Sequence, residues 1–221
     1  MKNSSFSPDI SLQRHSRQWT LEGIPILLAE AALPSLASSP HCKRINRVYR
    51  QYLRAFYRFC AKELLPRAKA DFYTATARSH PIPVTKCTLH STLTYTETHI
   101  LSLYTDLAAV APGRSFSTRT ADTWDLKTGF PLALCDFFPP RSVPKKELLT
   151  LARERAADRI AQGFPFCEDY RRALRRHFSS HRFYLTPRGL VFYYQPGSTA
   201  PIGQGPVSFF VPYSAQGPRL P

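Results

Sequence analysis

KRINRVYRQYLRAFYRFCAK, residues 43 to 62, is the stretch from which the organisation of the chain follows. Turned by about 100° per residue, Lys43, Arg44, Arg47, Arg50, Arg54, Arg58 and Lys62 fall in one sector about 120° wide. Ile45, Val48, Tyr49, Tyr52, Leu53, Phe56, Phe59 and Cys60 occupy the opposite side. This spacing predicts an amphipathic helix with one apolar stripe for a core and one basic face for solvent or a partner. Pro66 is expected to end it, because proline disfavours helix at the residue before it and has no amide to donate. Glu63 would point to the apolar side, so the regular part should stop just before it.

Two further helices are expected downstream. One begins near Pro144, where a missing first-turn amide costs nothing, and stops at Gly163. The other covers residues 168 to 178, burying Tyr170, Leu174 and Phe178 and exposing Arg171, Arg172, Arg175 and Arg176. Between the helices, apolar and polar residues alternate with period two, which predicts strands over residues 87 to 96, 100 to 110, 116 to 125, 130 to 134, 182 to 186, 190 to 194 and 207 to 212. An earlier strand over residues 24 to 33 is interrupted by Pro25. Hairpin turns are expected at residues 126 to 129 and 187 to 189, where Gly129 and Gly189 offer positive φ. The fold class is therefore α+β, an antiparallel β-sheet with amphipathic helices packed on one face, in one continuous unit. Residues 1 to 23 read as a polar N-terminal segment without order of its own. Residues 24 to 214 read as a single domain, with a strand and the long helix in 24 to 80 and the sheet with two helices in 81 to 214. Residues 215 to 221 form a tail.

The 221 residues carry 30 Lys and Arg against 15 Asp and Glu, a formal charge of +15, and this excess is local. Residues 1 to 42 sum to zero and residues 81 to 140 to −1, whereas 43 to 67 carry +7 and 141 to 182 carry +6. Aromatic content of 13% and long apolar runs exclude a disordered chain, despite twenty prolines. No stretch approaches the roughly 20 apolar residues of a membrane span. Cys42, Cys60, Cys87, Cys135 and Cys167 are odd in number and form no CxxC pair, so they read as reduced thiols. Residues 1 to 23 lack a basic start running into an apolar core, so a cytoplasmic location is expected.

Catalytic patterns are thin. His177 and His181 have the spacing of a helical metal pair, but Arg175, Arg176 and Arg182 oppose a divalent cation, and no metal or other cofactor is expected. Asp122 and Asp125, three apart in a strand, point to opposite faces and form no acid–base dyad. The glycines at 197, 203 and 205 lack the lysine and following helix of a phosphate loop, and no serine lies in a GxSxG frame. A non-enzymatic role is expected. The basic face of residues 43 to 62 is the candidate contact for an acidic protein or an anionic polymer. The alternative is sequence-nonspecific nucleic-acid binding through the same cations, with the Tyr57 ring beside them for base stacking.

Residues 123 to 138, TWDLKTGFPLALCDFF, resemble the "F-D-L-x-T-G-x-x-L-x-L-x-D-L-F" hairpin of a bacterial domain of unknown function. That domain forms the C-terminal part of the extracellular sensor region of the anti-sigma factor RsiV, and also occurs beside the peptidoglycan deacetylase PdaC. Phe183 to Thr186, Gly189 to Tyr194, Ala200-Pro201, Gly205 and Val211-Pro212-Tyr213 are similar to its closing "dGLvFyF... AP... G... iPY" run, and Ile45-Asn46 to the small domain that precedes it. The resemblance spans residues 24 to 214. It implies a domain that binds rather than reacts, with Trp124, Asp125, Gly129, Asp136, Phe138, Gly189, Pro212 and Tyr213 in structural roles, Asp136 capping a turn among them. In RsiV the ligand is lysozyme. Familiar lysozymes are themselves cationic and two basic surfaces repel, so lysozyme is not expected as the partner here.

Overall fold

Residues 9–37, 41–214 and 217–220 are described by a computed structural model. Chain order is β1 (Ile10–Leu21), β2 (Ile24–Leu36), α1 (Cys42–Phe59), a π-turn (Cys60–Leu64), α2 (Leu65–Ala77), β3 (Thr85–Tyr95), β4 (Ile100–Ala111), β5 (Arg114–Asp125), β6 (Phe130–Pro131), α3 (Pro144–Ala161), α4 (Tyr170–His177), β7 (Phe183–Thr186), β8 (Gly189–Tyr194) and β9 (Val207–Pro212). Short 3₁₀ turns lie at Leu134–Phe137 and Ile202–Gln204. One sheet runs β1-β2-β3-β4-β5-β6 and a second runs β7-β8-β9. The α+β class expected from the periodicities is what forms. Among the described residues no helix is long and apolar enough to cross a membrane.

The chain divides into two compact units: residues 9–91 with 105–117, and residues 92–104 with those from 118 on. In the first, the polar segment expected to lie outside the domain supplies β1; residues 1 to 8 of that segment lie outside the described residues. A two-residue loop, Glu22-Gly23, with φ of 52° and 78°, returns the chain so that Leu21 faces Ile24. Positive φ at both central residues is the turn whose twist matches a two-stranded ribbon. The ribbon extends antiparallel from that pair to Ile10 opposite Leu36, through Pro25 and Pro34. The next pairing departs from the antiparallel sheet that was expected. β2 and β3 run parallel, Leu27 beside Thr85 through Ala32 beside His90, because α1, the π-turn and α2 form the crossover that parallel neighbours require. Pro66 does not end the helix. The π-turn inserts a wider loop whose Leu65 N–H reaches the Cys60 carbonyl, and Pro66 then falls in the first turn of α2, where no amide is called for.

The second unit has an aromatic core. Phe137, Phe183, Phe192, Tyr194 and Phe209 pack with Leu148 and Ala152 of α3 and Leu174 of α4. The strand expected over residues 130 to 134 is only Phe130–Pro131. The Asp136 carboxylate accepts the Ala133 N–H at 2.7 Å and closes a 3₁₀ turn instead. Of the expected C-terminal tail, residues 215, 216 and 221 lie outside the described residues; the Arg219 N–H donates to the Phe137 carbonyl at 2.7 Å.

Candidate functional site

The apolar stripe of α1 is spent on packing: Ile45, Tyr49 and Phe56 are buried, and the helix lies against β2. Its position is fixed at the N-terminal end by Asn46. The Asn46 side chain accepts the Leu36 N–H at 3.0 Å and donates to the Leu36 carbonyl at 2.9 Å, so one amide side chain completes the hydrogen bonding at the end of β2. This places the basic sector outward, and Lys43, Arg44, Arg47, Arg50, Arg54, Arg58 and Lys62 are all exposed. Among the described residues, no carboxylate lies within ion-pairing distance of Lys43, Arg47, Arg50, Arg54, Arg58 or Lys62. Nearby, Arg114 and Asp71 do pair, at 2.6 Å.

Beside this face runs an open groove of about 490 Å³, with Gln13 and His15 of β1 on one side and Lys43, Asn46, Arg50 and Arg54 of α1 on the other. Residues on β1 were not anticipated as part of a site. The signal that would have found them is the Glu22-Gly23 turn between two runs of strand-forming residues. Tyr57, the expected stacking platform, is otherwise engaged. Its ring meets Trp19 edge-on at 6.5 Å, and the Arg17 guanidinium lies 4.8 Å over Trp19 and 5.9 Å from Tyr57. Burial raises the Tyr57 phenol pKa, partly offset by the Arg17 cation and reinforced by Cys60.

Under the C-terminal end of α1, Cys60 and Cys87 are buried and share a thiol hydrogen bond. That bond lowers the Cys60 pKa and, with burial, raises that of Cys87. All five cysteines are free thiols.

The motif residues of the second unit occupy structural positions. Asp125 accepts the Lys127 N–H and the Thr128 hydroxyl, and Gly129 sits at φ 68° in the turn those bonds hold. Trp124 and Phe138 are buried. Tyr213 donates its hydroxyl to the Thr186 carbonyl at 3.0 Å, and Pro212 pairs with Gly189 at the end of the β8–β9 ladder. Gly189 is not at the positive φ expected for a turn. It is needed because an added Cβ would fall 2.2 Å from the Val211 carbonyl oxygen. Burial raises the Tyr213 phenol pKa, and Tyr95 and Glu97 add to that shift.

No curated protein matches the chain. The model of a family described as a protein of unknown function, DUF3298, matches residues 136–214, which include Asp136, Phe138, Gly189, Pro212 and Tyr213. A DUF3298 family member from Bacteroides fragilis is similar in structure, with a TM-score of 0.70 and 16% identity over 96% of this chain and 92% of that one. A DUF3298 family protein from Pseudomonas aeruginosa gives a TM-score of 0.56 and 13% identity over 93% of this chain and 90% of its own. The C-terminal 136–214 stretch thus carries the match to the DUF3298 family, and the chain has the fold of these two solved family members.

Proposed function

We propose that the chain is a non-enzymatic binding domain that engages an acidic partner through the basic face of α1, an interaction module of the sensor type that the RsiV resemblance implies. The observation that carries this reading is the row of exposed cations Lys43, Arg47, Arg50, Arg54, Arg58 and Lys62, without a carboxylate partner among the described residues and set beside an open groove. Such a row concentrates counter-ions, and a partner that replaces them gains both attraction and encounter rate. A cationic lysozyme meets a field of its own sign and is not the partner in this reading. A reducing, cytoplasmic setting belongs to it as well; the five free thiols support that, the buried Cys60 and Cys87 pair above all.

The test is a titration of labelled polyglutamate against the wild-type chain and the Arg50→Glu plus Arg54→Glu double variant, with circular dichroism to confirm that both fold. The wild type should bind at low salt, and the double variant should bind about tenfold more weakly or worse. Binding that ignores these two charges, or none at all at low ionic strength, overturns the reading. Mixed-sequence DNA or RNA bound more tightly than polyglutamate would replace it with the nucleic-acid alternative.

A further inference from the structure

We propose that the outer edge of β1 and the groove beside it dock an extended acidic peptide, which adds to the six-stranded sheet as a further strand with its carboxylates under Lys43, Arg50 and Arg54. This rests on the acidic-partner reading and specifies the partner's conformation and its seat.

β1 is the outermost strand of its sheet, and among the described residues nothing pairs along its other side. It spans twelve residues, about 40 Å of strand at ~3.4 Å per residue. Folded proteins blunt such edges by keeping them short or by placing proline or a bulge in them. β1 contains no proline, and its register is regular from Ile10 to Trp19, shifting only between Trp19 and Thr20. Its side chains include Arg14 and Arg17 and no carboxylate. A second copy of the same strand would meet like charge along the pairing, whereas an acidic strand would meet opposite charge. The free edge is thus protected against self-pairing and left open to one class of partner.

The groove supplies the second half of the argument. Gln13 and His15 pair with Leu33 and Ala31, whose side chains are buried on the face that α1 covers. The helix meets β1 through Tyr57 at Arg17 and Trp19, and beside Gln13 and His15 it leaves a space that Lys43, Arg50 and Arg54 wall. Arg50 and Arg54 are separated by about 6 Å along the helix at ~1.5 Å per residue. Same-face side chains on a strand repeat every ~6.8 Å. Acidic residues at alternate positions of an added strand therefore keep step with successive helical turns of cations. Main-chain bonds to the edge would supply affinity, and the alternate side chains would supply selectivity.

The experiment uses the full chain and a soluble peptide of alternating Thr and Glu, blocked at both ends, with two controls of the same charge N-methylated at every second residue in either phase. Binding of the parent peptide should slow hydrogen exchange at alternate amides within residues 11 to 17. One methylated phase should bind about tenfold more weakly, since it loses main-chain bonds while keeping every carboxylate. Equal binding of all three peptides overturns strand addition and leaves the acidic-partner reading standing. Polyglutamate binding without peptide binding does the same. Failure of both probes removes the reading beneath as well. Protection of β1 without peptide, together with dimers in sedimentation, shows the edge already occupied by a second copy and overturns the proposal.

Discussion

The arginines set into the β7–β9 unit and those along α1 are used in opposite ways. In the unit built on β7, β8 and β9, cations are drawn into the aromatic packing. The Arg119 guanidinium lies 3.7 Å over the Tyr104 ring and 5.9 Å from Tyr193, while the Arg119 carbonyl accepts from the Tyr193 hydroxyl and the Gln195 amide. Arg159 of α3 donates to the Ser208 carbonyl at 2.9 Å and sits 5.2 Å over Phe209, itself stacked on Phe192. In the unit built on α1, Arg47, Arg50, Arg54 and Arg58 project from a helix held by the buried Ile45, Tyr49 and Phe56, with no such acceptor. Two segments of nearly equal formal charge therefore differ in available charge, because part of one is committed to rings and carbonyls within its own unit. A basic helix face becomes evidence for a partner only after those internal commitments are subtracted.

The largest predicted effect tests how tightly the aromatic unit is packed. Gly189→Ala forces a methyl against the Val211 carbonyl oxygen and the Phe210 ring, and should destabilise the fold by about 3 kcal/mol in urea unfolding. Gly203→Ala, in open space, should change stability by only a few tenths of a kcal/mol. Equal tolerance at both sites would mean that the β8–β9 contact yields, and the contrast between a committed and an open region would lose its basis.

How much of this was legible differs between the units for physical reasons. α3 and α4 announce themselves by proline, glycine and 3.6-residue spacing, and the strands from β7 to β9 by local alternation, so their bounds form nearly as read. What escaped was decided by distant groups. β1 looks like a polar segment because an edge strand with one uncovered face needs few apolar residues; only the Glu22-Gly23 turn betrays it. The run through Pro66 depends on a π-turn that no local propensity encodes. The role of Gly189 depends on Val211 of β9, 22 residues on, and not on the turn beside it. For the site, the basic face is in the sequence, but the groove is not, because its far wall is β1.

A smaller effect sharpens the comparison directly. Arg119→Ala removes a half-buried cation from two rings, and should cost about 1–2 kcal/mol. Arg54→Ala, exposed and without a carboxylate partner, should stay within about 0.5 kcal/mol of wild type while weakening polyglutamate binding. Thermal or urea unfolding of the two variants, set beside one binding titration, separates structural from available charge. Similar stability losses for both would erase the distinction.

The smallest effect concerns a hydroxyl. Tyr194 is fully buried in the aromatic core, and its oxygen has no hydrogen-bond partner among the described residues. Burial raises the phenol pKa well above its usual value, offset only in part by the Arg153 cation. An isolated polar atom in a core loses water without compensation, so Tyr194→Phe should be stabilising by about 1 kcal/mol at neutral pH. The pH dependence follows with a definite sign. A group whose pKa is raised by folding contributes stability that is complete below the unfolded value of about 10 and is lost as pH rises through the folded value. The wild type should therefore weaken above about pH 10, and the Phe variant should weaken less, with Tyr213, also raised by burial, retaining part of the dependence. Urea unfolding at pH 7 and pH 11 measures both. If the variant is the less stable protein at neutral pH, the hydroxyl has an interior partner, and the aromatic unit satisfies its polar groups as fully as it does its arginines.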